Sequence, residues 1–155
     1  VLLLEGTNDV NSGTAPDTIV QSLRADVSRA KRMGISTAFL ATLPPEVTGP
    51  GRFRATKPDD IVDTNDKIRE AAEREGAILV DLYEAMYPQR ELLIGDDGLH
   101  ATSAGYKFMA STFLAAIRAN LQVTGASTAP PSSFGLSRPL RGGSPFAAPR
   151  FRSAP

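Results

Sequence analysis

Cysteine is absent from the 155 residues. Its absence excludes disulfides, zinc–thiolate sites and a cysteine nucleophile, and it leaves the cellular compartment open. Net charge is also lacking: seventeen lysines and arginines balance seventeen acids, and the one histidine is counted neutral. That balance supplies no electrostatic reason to expect a nucleic acid or a membrane surface as partner. No apolar run approaches the length of a membrane span, and no lipidation motif is visible. What remains is an ordinary soluble composition, 41% apolar and 22% charged, of a length suited to one domain with a real core.

The charge balance hides an asymmetry. From Gly125 onward the only charges are Arg138, Arg141, Arg150 and Arg152. Setting these four aside leaves thirteen bases against all seventeen acids in the front portion. The same C-terminal stretch holds half of the twelve prolines and shows no periodicity. It reads as a disordered Pro/Ser/Gly/Arg tail over 124–155, behind a folded domain over 1–123. At the other end the chain opens on Val1-Leu2-Leu3-Leu4 with no preceding turn. A natural chain rarely starts inside a buried strand, so the sequence reads as an N-terminally truncated fragment. A signal peptide is therefore neither found nor excluded.

Within the front portion, Val1–Leu4 has the short continuous apolar pattern of a strand buried on both faces of a parallel sheet. Glu5-Gly6-Thr7-Asn8-Asp9 is a cluster of turn formers. Pro16 and Asp17 open a helix carrying Ile19, Leu23, Val27 and Ala30 on one face, with Gly34 as its stop. Ile35–Ala41 predicts a second strand, and Thr42 to Lys57 a long loop rich in proline and glycine. Pro58 and Asp59 open the next helix, which places Ile61, Asn65, Ile68 and Ala72 on one face and closes at Gly76. Ala77–Leu82 predicts a third strand, Tyr83–Tyr87 a short helical turn and Arg90–Asp97 a loop. Tyr106, Met109, Ala110, Phe113, Leu114, Ile117 and Leu121 mark the cleanest amphipathic helix of the chain.

Alternating strands and helices imply right-handed crossovers and a parallel sheet covered on both faces, an α/β class. In such sheets the site lies beyond the carboxyl ends of the strands. The Gly6–Asp9 turn sits at such an end, and the loop carrying Asp97 and His100 can fold back to the same edge. A carboxylate three residues before a histidine can hold one ring nitrogen and leave the other free as a base. Taken alone, Asp97-Gly98-Leu99-His100 reads first as a turn that caps the next helix. Asn8 alone reads as a turn residue bonding its own backbone, although a side-chain amide is also a suitable oxyanion donor.

Taken together, Gly6-Thr7-Asn8-Asp9 after a strand and Asp97-Gly98-Leu99-His100 before a final helix resemble two signature blocks of the SGNH hydrolase superfamily, the GDSL-type esterases and lipases. The Thr42-Leu43-Pro44-Pro45 exit from the second strand fits the same order, and the resemblance runs from Val1 to about Leu121. It implies a three-layer α/β/α, flavodoxin-like fold with the first strand–helix unit or units missing. It further implies His100 as general base, Asp97 as its orienting acid, Asn8 as oxyanion donor and Gly6 as the glycine of the supporting turn, with Asp9 stabilising that turn. Ala101 stands where many relatives carry proline. The implied reaction is hydrolysis of a carboxylic ester in a small molecule (an acyl, acetyl or aryl ester), with no metal and no cofactor.

The family's serine block and its oxyanion glycine block are absent. Ser12, Ser22, Ser28, Ser36, Ser103 and Ser111 stand in no matching context, so the resemblance puts the nucleophile upstream of this chain. A non-catalytic α/β domain that binds a ligand or protein is the competing reading. A phosphate-handling flavodoxin-like domain is a third, opposed by the lack of a glycine-rich phosphate loop. Asn65 reads as a structural hydrogen-bond hub, Arg52, Arg54 and Lys57 as a solvated loop or lid, and Asp81 as a cap near the strand end.

Overall fold

The computed structural model describes residues 1–121, and the tail expected beyond residue 123 lies outside them. Three parallel strands, β1 (Leu2–Leu3), β2 (Phe39–Ala41) and β3 (Ile78–Val80), lie in the order β1-β2-β3. Leu2 faces Phe39 and Leu3 faces Leu40; Phe39, Leu40 and Ala41 in turn face Ile78, Leu79 and Val80. The helices are α1 (Thr7–Asn11), α2 (Pro16–Arg32), α3 (Pro58–Glu75), α4 (Leu82–Met86), α5 (Arg90–Leu93) and α6 (Ser103–Asn120). A 3₁₀ turn over Tyr87–Gln89 joins α4 to α5.

The strand period of two divides the core between the two faces of the sheet. Leu40 packs with Ile19, Leu23, Ile61 and Ile68 from α2 and α3 on one face. Phe39, Ala41 and Val80 point the other way, onto Leu82, Met86, Leu93 and the partly buried Phe108, Met109, Phe113 and Ile117. These two cores make the three-layer α/β/α architecture. Each fully buried Leu or Ile contributes about 1.5–3 kcal/mol, so both cores are needed to hold so short a sheet.

The long helices form where the 3.6-residue pattern placed them. Pro16 stands at the first turn of α2, and Ile19, Val20, Leu23, Val27 and Ala30 are buried along it. Helix α3 also begins on a proline, carries Asp59 and Asp60 in its first turn and ends on Gly76 in the left-handed conformation.

Four expectations change. Val1 and Leu2 are exposed and Leu3 half-buried, so β1 is an edge strand here rather than one covered on both faces. The second strand starts at Phe39, and Ile35 is exposed. Arg90–Leu93 is a helical turn where a loop was expected. Along α6 only Gly105 is fully buried, and Tyr106 and Leu114 are exposed, because just part of its apolar stripe meets the sheet and the α4–α5 segment.

Candidate active site

The turn that carries Asp97 and His100 is closed by backbone before any side chain acts. Ile94 and Ala101 form an isolated antiparallel bridge. The Gly95 N–H donates to the His100 carbonyl at 2.7 Å, and the Thr102 N–H to the Leu93 carbonyl at 2.8 Å. Gly98 adopts φ 85°, and a Cβ there would lie 2.8 Å from the Ala55 Cβ, so both conformation and space favour glycine. The Thr42–Lys57 loop packs directly on this turn: the Val47 N–H donates to the Gly98 carbonyl at 2.9 Å, and the Arg54 N–H to the Asp97 carbonyl at 3.0 Å.

Inside the turn Asp97 is fully occupied. Its Oδ1 accepts the backbone N–H groups of Leu99 and His100, both at 3.0 Å. Its Oδ2 lies 2.6 Å from His100 Nδ1. The bond to His100 first, then the two N–H donors, hold the Asp97 carboxyl well below the usual carboxylate range. An ionised carboxylate accepts only, so Nδ1 is the donor to it, and in the neutral ring the lone pair falls on Nε2. Among the described residues no protein group bonds Nε2, and the ring is 56% exposed. Arg54 Nε stands 3.8 Å from the same Oδ2.

Asn8 arrives from the other end of the chain. After β1 the backbone turns at Gly6, whose φ of 121° and clearance from Ile19 Cγ2 (2.8 Å from a hypothetical Cβ) leave no room for a side chain. The turn formers that follow close into the short helix α1, a change from the open turn expected. The Asp9 carbonyl accepts the Thr14 N–H at 2.9 Å, so Asp9 supports this turn through its backbone. Asn8 is exposed, and it shares with His100 a cleft of about 240 Å³ lined by Leu4, Thr7, Pro44, Leu99, Ala101, Tyr106 and Met109. The two expected turns therefore meet on one cleft. Asp9 lines a separate concavity with Glu5 and Asp26.

Among the described residues no serine lines the cleft. Ser22 and Ser111 donate to the carbonyl four residues back, and Ser28 donates to Glu75. Tyr106, on the stripe read from periodicity as core, is exposed and forms a wall of the cleft, and Met109 both packs on the core and lines the cleft. The signal that separates the two roles is their place in the first two turns of α6, beside His100.

The surrounding loops are pinned by polar groups. Asn65 is fully buried and clamps Leu43, accepting its N–H at 2.7 Å and donating to its carbonyl at 3.0 Å. That is the hub role expected, and it holds the loop on which Pro44 reaches the cleft. Asp81 accepts from the Thr42 hydroxyl at 3.0 Å and from Arg69 Nε at 2.8 Å. Burial alone would push the Asp81 carboxyl up. The donors Arg69, the Glu84 N–H and Thr42 together bring it below its ordinary value. Arg52 is paired with Glu91 at 2.8 Å and Lys57 lies 3.5 Å from Asp60, so the basic loop is tied to the protein. Among the described residues no group of acids and histidine is placed to hold a metal, and no helix is long and apolar enough to cross a membrane.

Comparison with known proteins extends this picture. No curated protein matches the sequence. A protein from Streptococcus pneumonia shares the fold with a TM-score of 0.65 at 21% identity, the match covering 74% of this chain and 57% of that one. A GDSL-like lipase from Bacteroides thetaiotaomicron VPI-5482 is similar at 25% identity with a TM-score of 0.60, over 78% of this chain and 62% of that one. An acetyl xylan esterase matches at 23% identity with a TM-score of 0.58, over 76% and 66%. The chain thus spans less than two thirds of the length of each of these structures. The GDSL-like lipase/acylhydrolase family pattern matches residues 1–108. With that match over most of its length, this chain belongs to the GDSL-like lipase/acylhydrolase family.

Proposed function

We propose that this chain supplies the base, its orienting acid and one oxyanion donor of a serine esterase. The observation that carries the reading is the pairing, on one cleft, of Asn8 with a histidine whose Nδ1 is held at 2.6 Å by Asp97. The attacking serine lies outside these 155 residues. The absence of a serine from the cleft among the described residues, and the other partners taken by Ser22, Ser28 and Ser111, support that placement.

In this mechanism His100 Nε2 takes the proton of the serine hydroxyl as the oxygen attacks the ester carbonyl. Asp97 keeps the ring in the correct tautomer and stabilises the imidazolium that forms. The carbonyl oxygen becomes an oxyanion that accepts a hydrogen bond from the Asn8 amide. The C–O bond to the alcohol breaks as His100 returns the proton to it, leaving an acyl-serine. Water then repeats the sequence, releasing the acid and the free serine. The cleft of about 240 Å³ suits a small acyl group, and similarity to an acetyl xylan esterase points the same way. We therefore take short-chain esters, acetyl esters first, as the substrate class.

The test is hydrolysis of p-nitrophenyl acetate by the complete product of the gene that encodes this chain. His100→Ala should remove all but a residual about 10³–10⁴-fold enhancement over water while the circular dichroism spectrum is kept. Unchanged turnover would favour the non-catalytic binding domain. The 155 residues alone should release no p-nitrophenol, and a serine-dependent burst from them would place the nucleophile within the chain.

A further inference from the structure

Glu46 is only 7% exposed, yet it is a carboxylate in a loop, and its partners are neutral donors. Burying such a group is costly unless hydrogen bonds satisfy it. Oε1 accepts from Asn11 Nδ2 at 3.1 Å, and Oε2 accepts the Lys57 backbone N–H at 2.9 Å. Lys57 caps α3, so the carboxylate also faces the positive end of that helix. Asn11 is held from three sides. Its amide nitrogen donates to the Thr7 carbonyl as well, at 3.1 Å, and its oxygen accepts from the Thr56 hydroxyl at 2.8 Å.

These bonds matter because of what lies between them. Asn8 belongs to α1, a five-residue turn with no side-chain cap at its start. A turn that short does not hold its shape by local bonds alone. Asn11, at its far end, is fastened both to Thr7 at its start and to Glu46. The next residue, Val47, donates its N–H to the Gly98 carbonyl inside the Asp97–His100 turn. Glu46-Val47 is therefore a strut with one end on the Asn8 helix and the other on the His100 turn.

We infer that Glu46 is a positioning residue, acting through Asn11 to hold the Asn8 amide in register with His100 across the cleft. The inference rests on the proposed oxyanion role of Asn8. A glutamine at position 46 keeps the volume, loses the charge and weakens the grip on both Asn11 and Lys57. The effect belongs to the transition state, where the oxyanion forms, and leaves substrate binding largely untouched.

The experiment is a double-mutant cycle in the complete gene product with p-nitrophenyl acetate. Glu46→Gln should lower kcat about tenfold with KM kept within about twofold. In an Asn8→Ala background the same change should lower kcat by less than about twofold, because the group it positions is gone. A kcat within about twofold of the parent for Glu46→Gln, or an equal drop in both backgrounds, overturns the inference and leaves Glu46 as a plain structural residue. If Glu46→Gln loses its native circular dichroism, Asn11→Ala takes its place in the cycle under the same two criteria. If Asn8→Ala alone leaves turnover unchanged, the oxyanion assignment itself fails, and the role of Glu46 falls with it.

Discussion

Both oxygens of Asp97 are committed to the turn that contains His100, one to two backbone N–H groups and one to the ring. An asparagine there keeps an acceptor for the backbone but offers N–H to Nδ1, which favours the wrong tautomer. Asp97→Asn should therefore lower kcat by about 10²–10⁴-fold with little change in KM. It should also alter acid stability. The folded carboxyl is held below its ordinary value, so its stabilising contribution is present above the unfolded pKa of about 3.9 and fades as pH falls below it. Urea midpoints measured at neutral pH and near pH 3 should accordingly diverge less in Asp97→Asn than in the parent. Across the cleft, Asn8→Ala should lower kcat by about 10²–10³-fold, the usual effect of losing one oxyanion donor. At this scale the sequence was informative because Asp97 and His100 are three residues apart and their contact is local. The exposure of Asn8 and the buried state of Glu46 were not legible, since both depend on chain segments more than thirty residues away in sequence.

At the scale of elements, the helices with a full apolar stripe were legible from residue spacing and the short ones were not. Arg90–Leu93 has a single turn, too few residues for a period to register, and its form is set by Leu93 packing with Leu82 and Met86. The Thr42–Lys57 loop shows the same limit in another way. Its composition of proline and glycine suggests a solvated loop, whereas Thr42, Leu43, Glu46 and Val47 are buried. What holds its start is Asn65, whose position on the apolar face of α3 was visible in the sequence. Asn65→Ala leaves the Leu43 N–H and carbonyl buried without partners, which should destabilise the fold by about 2–4 kcal/mol in urea titration. It should also raise KM for the ester as Pro44 shifts in the cleft wall. A destabilisation below about 1 kcal/mol would show that the loop is held elsewhere.

For the described domain as a whole, the third strand, the exit of the second and helix α3 are joined at Asp81. Arg69 reaches it from α3 and Thr42 from the exit of β2, both in partly buried surroundings. Arg69→Met removes the main donor and leaves the Asp81 charge half-buried. Stability should fall by about 1–2 kcal/mol at neutral pH, with less of the difference remaining in acid, because the lowered carboxyl of the parent loses its stabilising contribution as pH falls below the unfolded value. Thermal unfolding at pH 7 and pH 3 checks both halves of that statement.

Taken by itself, the sequence determined the class of fold, because alternating short apolar runs and 3.6-period helices permit little besides a covered parallel sheet. It also put Asp97 within local reach of His100, because a three-residue glycine turn can bring a carboxylate to a ring, although that spacing alone reads first as a turn capping the next helix. Tertiary structure decided which residues share the cleft, which side chains line it and what braces the Asn8 turn. Those outcomes depend on β1 and the end of α5 arriving at the same sheet edge. Contacts between segments so far apart in the chain leave no periodicity for a linear reading to detect.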